Sequence, residues 1–126
     1  MDIRECTMEL KDHLLRLKDR FDHSEPPENR RDRKFFEMVK EETDPIFRML
    51  EQWEELAIQS IQEKKTGVVP QQITSTKENM EMLLLHSFFI DARPKRYMEL
   101  HKSVRYIFDQ LLRDLEAEKR GKRNDA

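Results

Sequence analysis

Residues 44–65 decide the fold and have the sequence DPIFRMLEQWEELAIQSIQEKK. Large apolar side chains recur in this stretch at steps of four and three, which places them on one side of an α-helix at about 100° per residue. They are Ile46, Leu50, Trp53, Ala57 and Ile61. The only tryptophan, Trp53, lies in the middle of this stripe. Its large ring therefore predicts the centre of a core that other helices must cover.

The same stretch carries signals for the start of a helix. Asp44 can cap the free N–H groups of a first turn, and Pro45 fits the first helical position, where a missing N–H costs nothing. A residue before a proline also disfavours helical backbone angles. Asp32 can cap an earlier helix in the same way. We therefore predict a second arm that is kinked or broken near Pro45, with helices at 33–43 and 45–65; one kinked helix or two separate helices both fit.

Three further segments have the apolar periodicity of amphipathic helices. They span residues 2–22, 70–91 and 94–120, and a frayed tail is expected at 121–126. Proline-bearing residues 23–32, the Gly67 region and Arg93-Pro94 supply the connections, with Gly67 suited to a left-handed helix cap. Since each connection allows the chain to reverse, we predict one domain, 1–126, with an all-α, up-down-up-down four-helix bundle fold. The expected core anchors are Trp53, Leu50, Ala57, Leu83, Val104 and Leu111.

Composition and charge argue against several classes of protein. The 26 acidic and 24 basic residues are interleaved and give a net charge of −2, so we expect no nucleic-acid partner. No apolar run is long enough for a signal peptide or a bilayer crossing, so we expect no membrane partner. The single cysteine, Cys6, excludes an internal disulfide framework and a zinc ribbon. It favours the cytoplasm, where we expect a solvated thiol.

Several local patterns coincide with those of a known family. They are Phe35-Phe36-Glu37 with Lys40, Trp53, the run at 77–85, Lys95-Arg96-Tyr97 and Ser103-Val104. Over roughly residues 10–116 the chain resembles the YppE-like family of small uncharacterised proteins from Gram-positive bacteria. The resemblance implies a cytoplasmic four-helix bundle. It brings no assigned activity and no catalytic or ligand residue.

Motifs that carry chemistry are scarce. A di-iron bundle requires two Glu-x-x-His pairs, and none of the histidines His13, His23, His86 and His101 follows a glutamate by three positions. His86 and His101 lie at similar distances from the turn at residues 93–94. They are therefore the candidate ligand residues of an alternative function, a metal- or small-ligand-binding bundle. Nucleophile motifs and Gly-rich phosphate loops are absent. We therefore expect no enzyme, no catalytic residue and no cofactor.

The most informative irregularity lies at residues 80–90, MEMLLLHSFFI. Met82, Leu85 and Phe89 fall on the side of the helix opposite its core stripe, and a helix that is apolar all round requires burial all round. Either the Phe35-Phe36 segment or the proline-bearing connection covers this face, or a second molecule does. We predict a protein that acts by protein–protein contact, as an adaptor or regulator, with a partner protein or a homodimer. The predicted contact residues are Met82, Leu85, Phe89 and, if it points outward, Phe36.

Overall fold

Four helices make up the computed structural model, which describes residues 1–63 and 66–124, with side chains up to residue 118. They are α1 (Ile3–His23), α2 (Arg33–Glu63), α3 (Pro70–Phe89) and α4 (Pro94–Asn124). These described ranges contain no strand. The predicted all-α four-helix bundle is confirmed. None of the described helices has both the length and the apolar character that a bilayer crossing requires.

Side-chain pairs show that neighbouring helices run in opposite directions. Between α1 and α4, Arg4 pairs with Glu116 and Lys11 pairs with Asp109, so residue numbers fall along one helix as they rise along the other. Each helix also packs against the helix that follows it in the chain. The up-down-up-down topology follows from this order and from the short connections between the helices.

The centre of the bundle is built around Trp53. Helices α1 and α3 approach each other across one diagonal, while α2 and α4 lie on the longer one. The rings of Trp53 and Phe108 fill that longer diagonal, edge to face, with their centroids 5.3 Å apart. The indole N–H of Trp53 donates a hydrogen bond of 2.9 Å to Thr7 Oγ1. All the expected core anchors are buried: Trp53, Leu50, Ala57, Leu83, Val104 and Leu111.

A second polar link inside the core joins α3 to α4. The Ser87 hydroxyl donates to the Leu83 carbonyl oxygen at 2.6 Å, so the Tyr97 hydroxyl is the donor in its 2.7 Å contact with Ser87. The Tyr97 ring stacks on Phe21 of α1 with a centroid distance of 4.0 Å. Burial raises the pKa of Tyr97 to about 12. Three helices are therefore fixed to each other at this level of the bundle.

Helix α2 continues through Pro45 as one helix, so of the two predicted alternatives, one kinked helix or separate helices at 33–43 and 45–65, the separate helices are ruled out. Asp32, and not Asp44, caps the helix, because its Oδ1 atom accepts the Lys34 N–H at 3.1 Å. Pro45 lies on the exposed side, and the carbonyl that loses its helical partner belongs to the exposed residue Glu41. One unbroken buried stripe crosses the proline: Val39, Thr43, Ile46, Leu50, Trp53, Ala57 and Ser60. The predicted end of this arm at residue 65 lies outside the described residues.

Two other predicted features differ from the structure: the left-handed cap at Gly67 and the end of the last helix at residue 120. Gly67 does not adopt left-handed angles, and its N–H donates to Asp114 Oδ2 at 2.8 Å instead. The left-handed residue is Ile90, with φ 50° and ψ 46°, and its N–H donates to the His86 carbonyl as α3 ends. Helix α4 continues to Asn124, beyond the start of the expected tail at 121, and residues 125–126 lie outside the described part.

Cys6 is fully buried, which contradicts the expectation of a solvated thiol. It lies on the inner side of α1, with its Sγ atom 3.9 Å from the Met49 carbonyl oxygen. Burial raises the pKa of the thiol, and the charge of Glu9 adds to this effect. Cys6 is therefore a small core residue with little thiolate at neutral pH.

Candidate protein-contact surface

Helix α3 presents apolar side chains on two of its sides. Its inner side fills the core with Ile73, Met80, Leu83, Leu84 and Phe88. On its outer side, Met82 is 38% exposed and Leu85 is 45% exposed. These two residues occupy the outward positions that the helical period assigns to them.

A groove of about 320 Å³ lies between the outer sides of α2 and α3. Phe36, which is 58% exposed, belongs to its α2 wall, while Leu85 and Phe89 belong to its α3 wall. We call this the α2–α3 groove; its lining residues are Phe36, Val39, Lys40, Thr43, Asp44, Leu85 and Phe89. Three of the four predicted contact residues therefore share one concave surface, and Met82 is not part of its lining.

Phe89 is partly covered within the molecule. The edge of the Phe35 ring meets it at a centroid distance of 5.4 Å, and the Arg30 guanidinium lies 5.6 Å from its ring centre. Arg30 is held in place by an ion pair of 2.7 Å with Asp91. The alternative of cover within the molecule therefore holds for Phe89, because α2 and the proline-bearing connection cover it. The other three predicted contact residues stay exposed: Phe36, Met82 and Leu85.

The floor of the α2–α3 groove is apolar and its rim carries two opposite charges. The hydroxyl of Thr43 donates to the Val39 carbonyl at 2.8 Å, so it is satisfied inside its own helix. Lys40 and Asp44 lie one turn apart on α2 at the rim. Neither makes an ion pair within the part of the chain that the structure describes. Both charges are therefore free to pair with a bound molecule.

Four lining residues of this groove were not predicted: Val39, Lys40, Thr43 and Asp44. Within the predicted helix 33–43, positions 36, 39, 40 and 43 already have the spacing of one helical side. That spacing was the sequence signal that could have identified the α2 wall.

His86 belongs to a small ionic network at the end of α3. Its Nδ1 atom lies 2.7 Å from Asp91 Oδ1, and the other carboxylate oxygen of Asp91 binds Arg30. Burial acts to raise the pKa of Asp91, but the hydrogen bond and charge of His86, together with Arg30, outweigh burial and lower that pKa. His86 therefore has a structural partner in the carboxylate of Asp91.

His101 has very different surroundings, because only 3% of its surface is exposed. Its ring lies at 25° to the Tyr97 ring, and its Nε2 atom has no hydrogen-bond partner among the described residues. Burial lowers the pKa of His101, and the charges of Lys18 and Arg105 lower it further. No group of three or more His, Cys, Asp or Glu side chains with metal-site geometry occurs in the described ranges.

Basic clusters occur at three places in the sequence: residues 30–34, 93–96 and 119–123. In the first, Arg30 pairs with Asp91 and Arg33 pairs with Glu37. In the second, Arg96 pairs with Glu99 at 3.8 Å. The side chains of the third lie outside the described part of the chain. The first two clusters therefore have part of their charge neutralised by neighbouring acids.

Comparison with known proteins gives a family and a fold. The chain matches the model of a bacterial domain of unknown function, DUF1798, over residues 7–115. The crystal structure of the protein yppE from Bacillus subtilis matches with a TM-score of 0.82 at 23% identity, over 93% of this chain and 94% of that one. A protein of unknown function from Listeria innocua matches with a TM-score of 0.77 at 17% identity, over 95% of each chain.

Comparison with curated proteins gives no match. At identities below 25%, the two crystal structures show the fold, and no activity comes from either of them. The predicted resemblance to the YppE-like family is confirmed by the family match and by these structures. The chain belongs to the family of the bacterial domain of unknown function DUF1798.

Proposed function

We propose that this chain is a protein-binding module, an adaptor or regulator, whose α2–α3 groove accepts the apolar side of a helix from a partner protein. The observation that carries the proposal is the exposure of Phe36 and Leu85, two large apolar side chains from different helices, at one groove. Amphipathic helices bind such grooves through apolar anchors three, four and seven positions apart. The apolar floor between Val39 and Thr43 supplies the matching surface.

The size of the surface favours a small segment of a partner over a second copy of the chain. The exposed parts of Phe36, Met82, Leu85 and Phe89 amount to on the order of 300 Å² of apolar area. A stable interface needs about 800 Å² from each partner. A dimer through this surface alone would therefore fall well short, whereas a transient contact with one helix needs less area.

The rim charges indicate what the partner helix carries. Lys40 and Asp44 have opposite signs and lie one turn apart, so they favour an acidic and a basic residue beside the apolar anchors of the partner. Charged groups at a rim fix orientation more than they add affinity. The partner is therefore expected to bind in one direction along the groove.

The proposed role is binding in the cytoplasm, and not catalysis. The groove is lined by two ionisable side chains of opposite charge, and its other lining residues offer no nucleophile with an adjacent base. The reduced and buried Cys6 supports a reducing compartment. The ion pairs within the first two basic clusters support a protein partner over nucleic acid.

Selection of helical peptides with apolar stripes against the purified chain tests this proposal. The selected peptides should bind at least about tenfold more weakly to Leu85→Asp and to Phe36→Asp, because each change places a charge at a wall of the groove. Leu15→Asp is the matched control, because Leu15 of α1 is 43% exposed, nearly the same as Leu85. Equal loss in the control, or no loss in either groove variant, would contradict the proposed site.

Sedimentation equilibrium at micromolar concentration tests whether the α2–α3 groove binds a partner helix or a second copy of this chain. The unmodified chain should be a monomer, because its exposed apolar area is small. If the unmodified chain is a dimer that Leu85→Asp dissociates and Leu15→Asp does not, the groove binds a second copy of this chain and not a partner helix.

A further inference from the structure

A second groove lies on the opposite side of α2, against α1. Its volume of about 390 Å³ is in the range of small-molecule clefts, about 300 to 1,000 Å³. The apolar part of its lining comes from three helices and consists of Leu17, Met38, Pro45, Ile46, Met49 and Phe88. We call it the α1–α2 groove. None of its lining residues belongs to the α2–α3 groove, so the two surfaces are independent.

Three nitrogen-bearing side chains of α1 line this groove: His13, Arg16 and Arg20. Their spacing of three and four places them along one side of the helix. A single carboxylate, that of Glu42 on α2, lines the groove with them. With the histidine neutral, two positive charges and one negative charge leave the lining with a net positive charge.

The arginines have few partners within the chain. The Arg20 guanidinium lies 4.2 Å above the Phe88 ring, and its Nε atom is shielded from solvent without a hydrogen-bond partner in the described ranges. Arg16 has a single long contact of 3.5 Å, from Nε to the Asp12 carbonyl of its own helix. Neither arginine forms an ion pair with any residue that the structure describes, including Glu42.

Most buried polar groups in proteins have a partner, and an arginine fork matches a carboxylate in shape and charge. Here two arginines lie beside apolar surface, with one of their nitrogens shielded and unpaired. The ligand that complements both features has a single anionic group and an apolar body. Glu42 disfavours a second negative charge, so a carboxylate suits the groove better than a doubly charged phosphate.

We propose that the α1–α2 groove is a binding site for a small amphipathic monoanion, whose carboxylate pairs with Arg16 and Arg20 and whose apolar body packs on Leu17, Met49 and Phe88. The concave shape favours a small molecule over a flat membrane surface. His13, at the same side of α1, adds a hydrogen-bond donor to the anionic group.

Isothermal titration of the full chain with sodium decanoate tests the site. Decanoate should bind saturably with one molecule per chain, while acetate, which lacks the apolar body, and decyltrimethylammonium, which has the opposite charge, should not. Arg16→Gln and Arg20→Gln keep most of each stem and should each weaken decanoate binding about tenfold. Glu42→Gln removes the opposing charge and should strengthen binding severalfold.

Two matched variants serve as controls. Arg105→Gln changes an exposed arginine on α4 that pairs with Asp109, and Leu85→Asp changes the α2–α3 groove. Both should bind decanoate as the unmodified chain does, so failure of this site and failure of the proposed partner-helix site are distinguishable. If Arg20→Gln does not fold by circular dichroism, Arg16→Gln and Glu42→Gln decide the question.

Several results would overturn the proposal. They include no saturable binding of decanoate, equal binding of decyltrimethylammonium, and affinities that Arg16→Gln and Glu42→Gln leave unchanged. Binding to phosphatidylglycerol vesicles without binding to free decanoate would also overturn it, since that result assigns the arginines to a membrane surface.

Discussion

Replacing Thr7 by valine should destabilise the protein, because it removes the acceptor of the buried Trp53 N–H. Both residues are fully buried, and the donor and acceptor atoms are 2.9 Å apart. Valine has nearly the shape of threonine, so the change leaves no cavity. It leaves the indole N–H without a partner in the centre of the bundle.

The expected change in the free energy of unfolding follows from the hydrogen bond that Thr7→Val removes and the methyl group that it adds. A buried donor without a partner costs about 1 to 3 kcal/mol, and the added methyl group recovers up to about 0.8 kcal/mol. The Thr7 hydroxyl also donates to the Ile3 carbonyl, but that oxygen keeps its helical backbone bond, so this loss adds little. We expect the free energy of unfolding to fall by about 1 to 2 kcal/mol, which lowers the melting temperature by roughly 3 to 8 °C.

A double-mutant cycle with Trp53→Phe isolates the hydrogen bond from packing. In the phenylalanine background the donor is absent, so Thr7→Val should cost at least about 1 kcal/mol less than in the unmodified protein. Urea unfolding followed by far-UV circular dichroism measures all four proteins without relying on the tryptophan. Thr74→Val, at an exposed position of α3, is the control and should stay within about 0.5 kcal/mol of the unmodified protein. Equal costs of Thr7→Val in both backgrounds would refute the reasoning.

Three further predictions follow from the helices and their titrating groups. Pro45→Ala should raise the free energy of unfolding by about 1 to 3 kcal/mol, because it restores a helical N–H at an exposed position; an unchanged or lower value in urea unfolding contradicts this. Burial lowers the pKa of His101, so the unfolded chain binds more protons and stability should fall as pH drops through about 6.5. His101→Leu should weaken that pH dependence of the free energy of unfolding. A smaller dependence in the same direction should remain, because burial also lowers the pKa of His13. His86→Ala should raise the pKa of Asp91, which carboxyl NMR titration measures, and an unchanged pKa would show that the hydrogen bond contributes nothing.

The helix count and the core were predictable because burial repeats along the chain with the period of a helix. The stripe through Leu50, Trp53 and Ala57 identified the centre of the bundle, and the structure buries all three. The local signals at Asp44 and Pro45 left one helix and two helices both open, and this stripe decides for one helix. The buried positions continue from Val39 to Ser60 without a gap, and tertiary burial along that length outweighs one missing backbone hydrogen bond.

The ends of helices were less predictable than their middles. Glycine is the usual residue with left-handed angles, yet Gly67 lacks them and Ile90 adopts them. Ile90 packs partly against the core, and its N–H closes the last turn of α3 on the His86 carbonyl. These contacts outweigh the strain of a β-branched residue there, and they depend on tertiary packing that a single sequence does not display.

The contact surface was predictable in part. The outward positions of Met82 and Leu85 follow from the helical period alone, and both are exposed. The cover of Phe89 by Phe35 and Arg30 depends on how the connection at residues 24–32 folds back over the end of α3, which the helical period does not specify. The α2 wall of the groove also depends on tertiary packing, because the period of α2 alone does not specify which of its sides lies beside the outer side of α3.

Photo-crosslinking in living cells tests the proposed partner contact most directly. A crosslinking amino acid placed at position 85 is compared with the same amino acid at position 15, which is nearly as exposed on α1. The account predicts a discrete adduct from position 85 alone, attached within an amphipathic helical segment of another protein, and loss of that adduct when Phe36→Asp is added. Equal adducts from both positions, or an adduct formed only with a second copy of this chain, would contradict it.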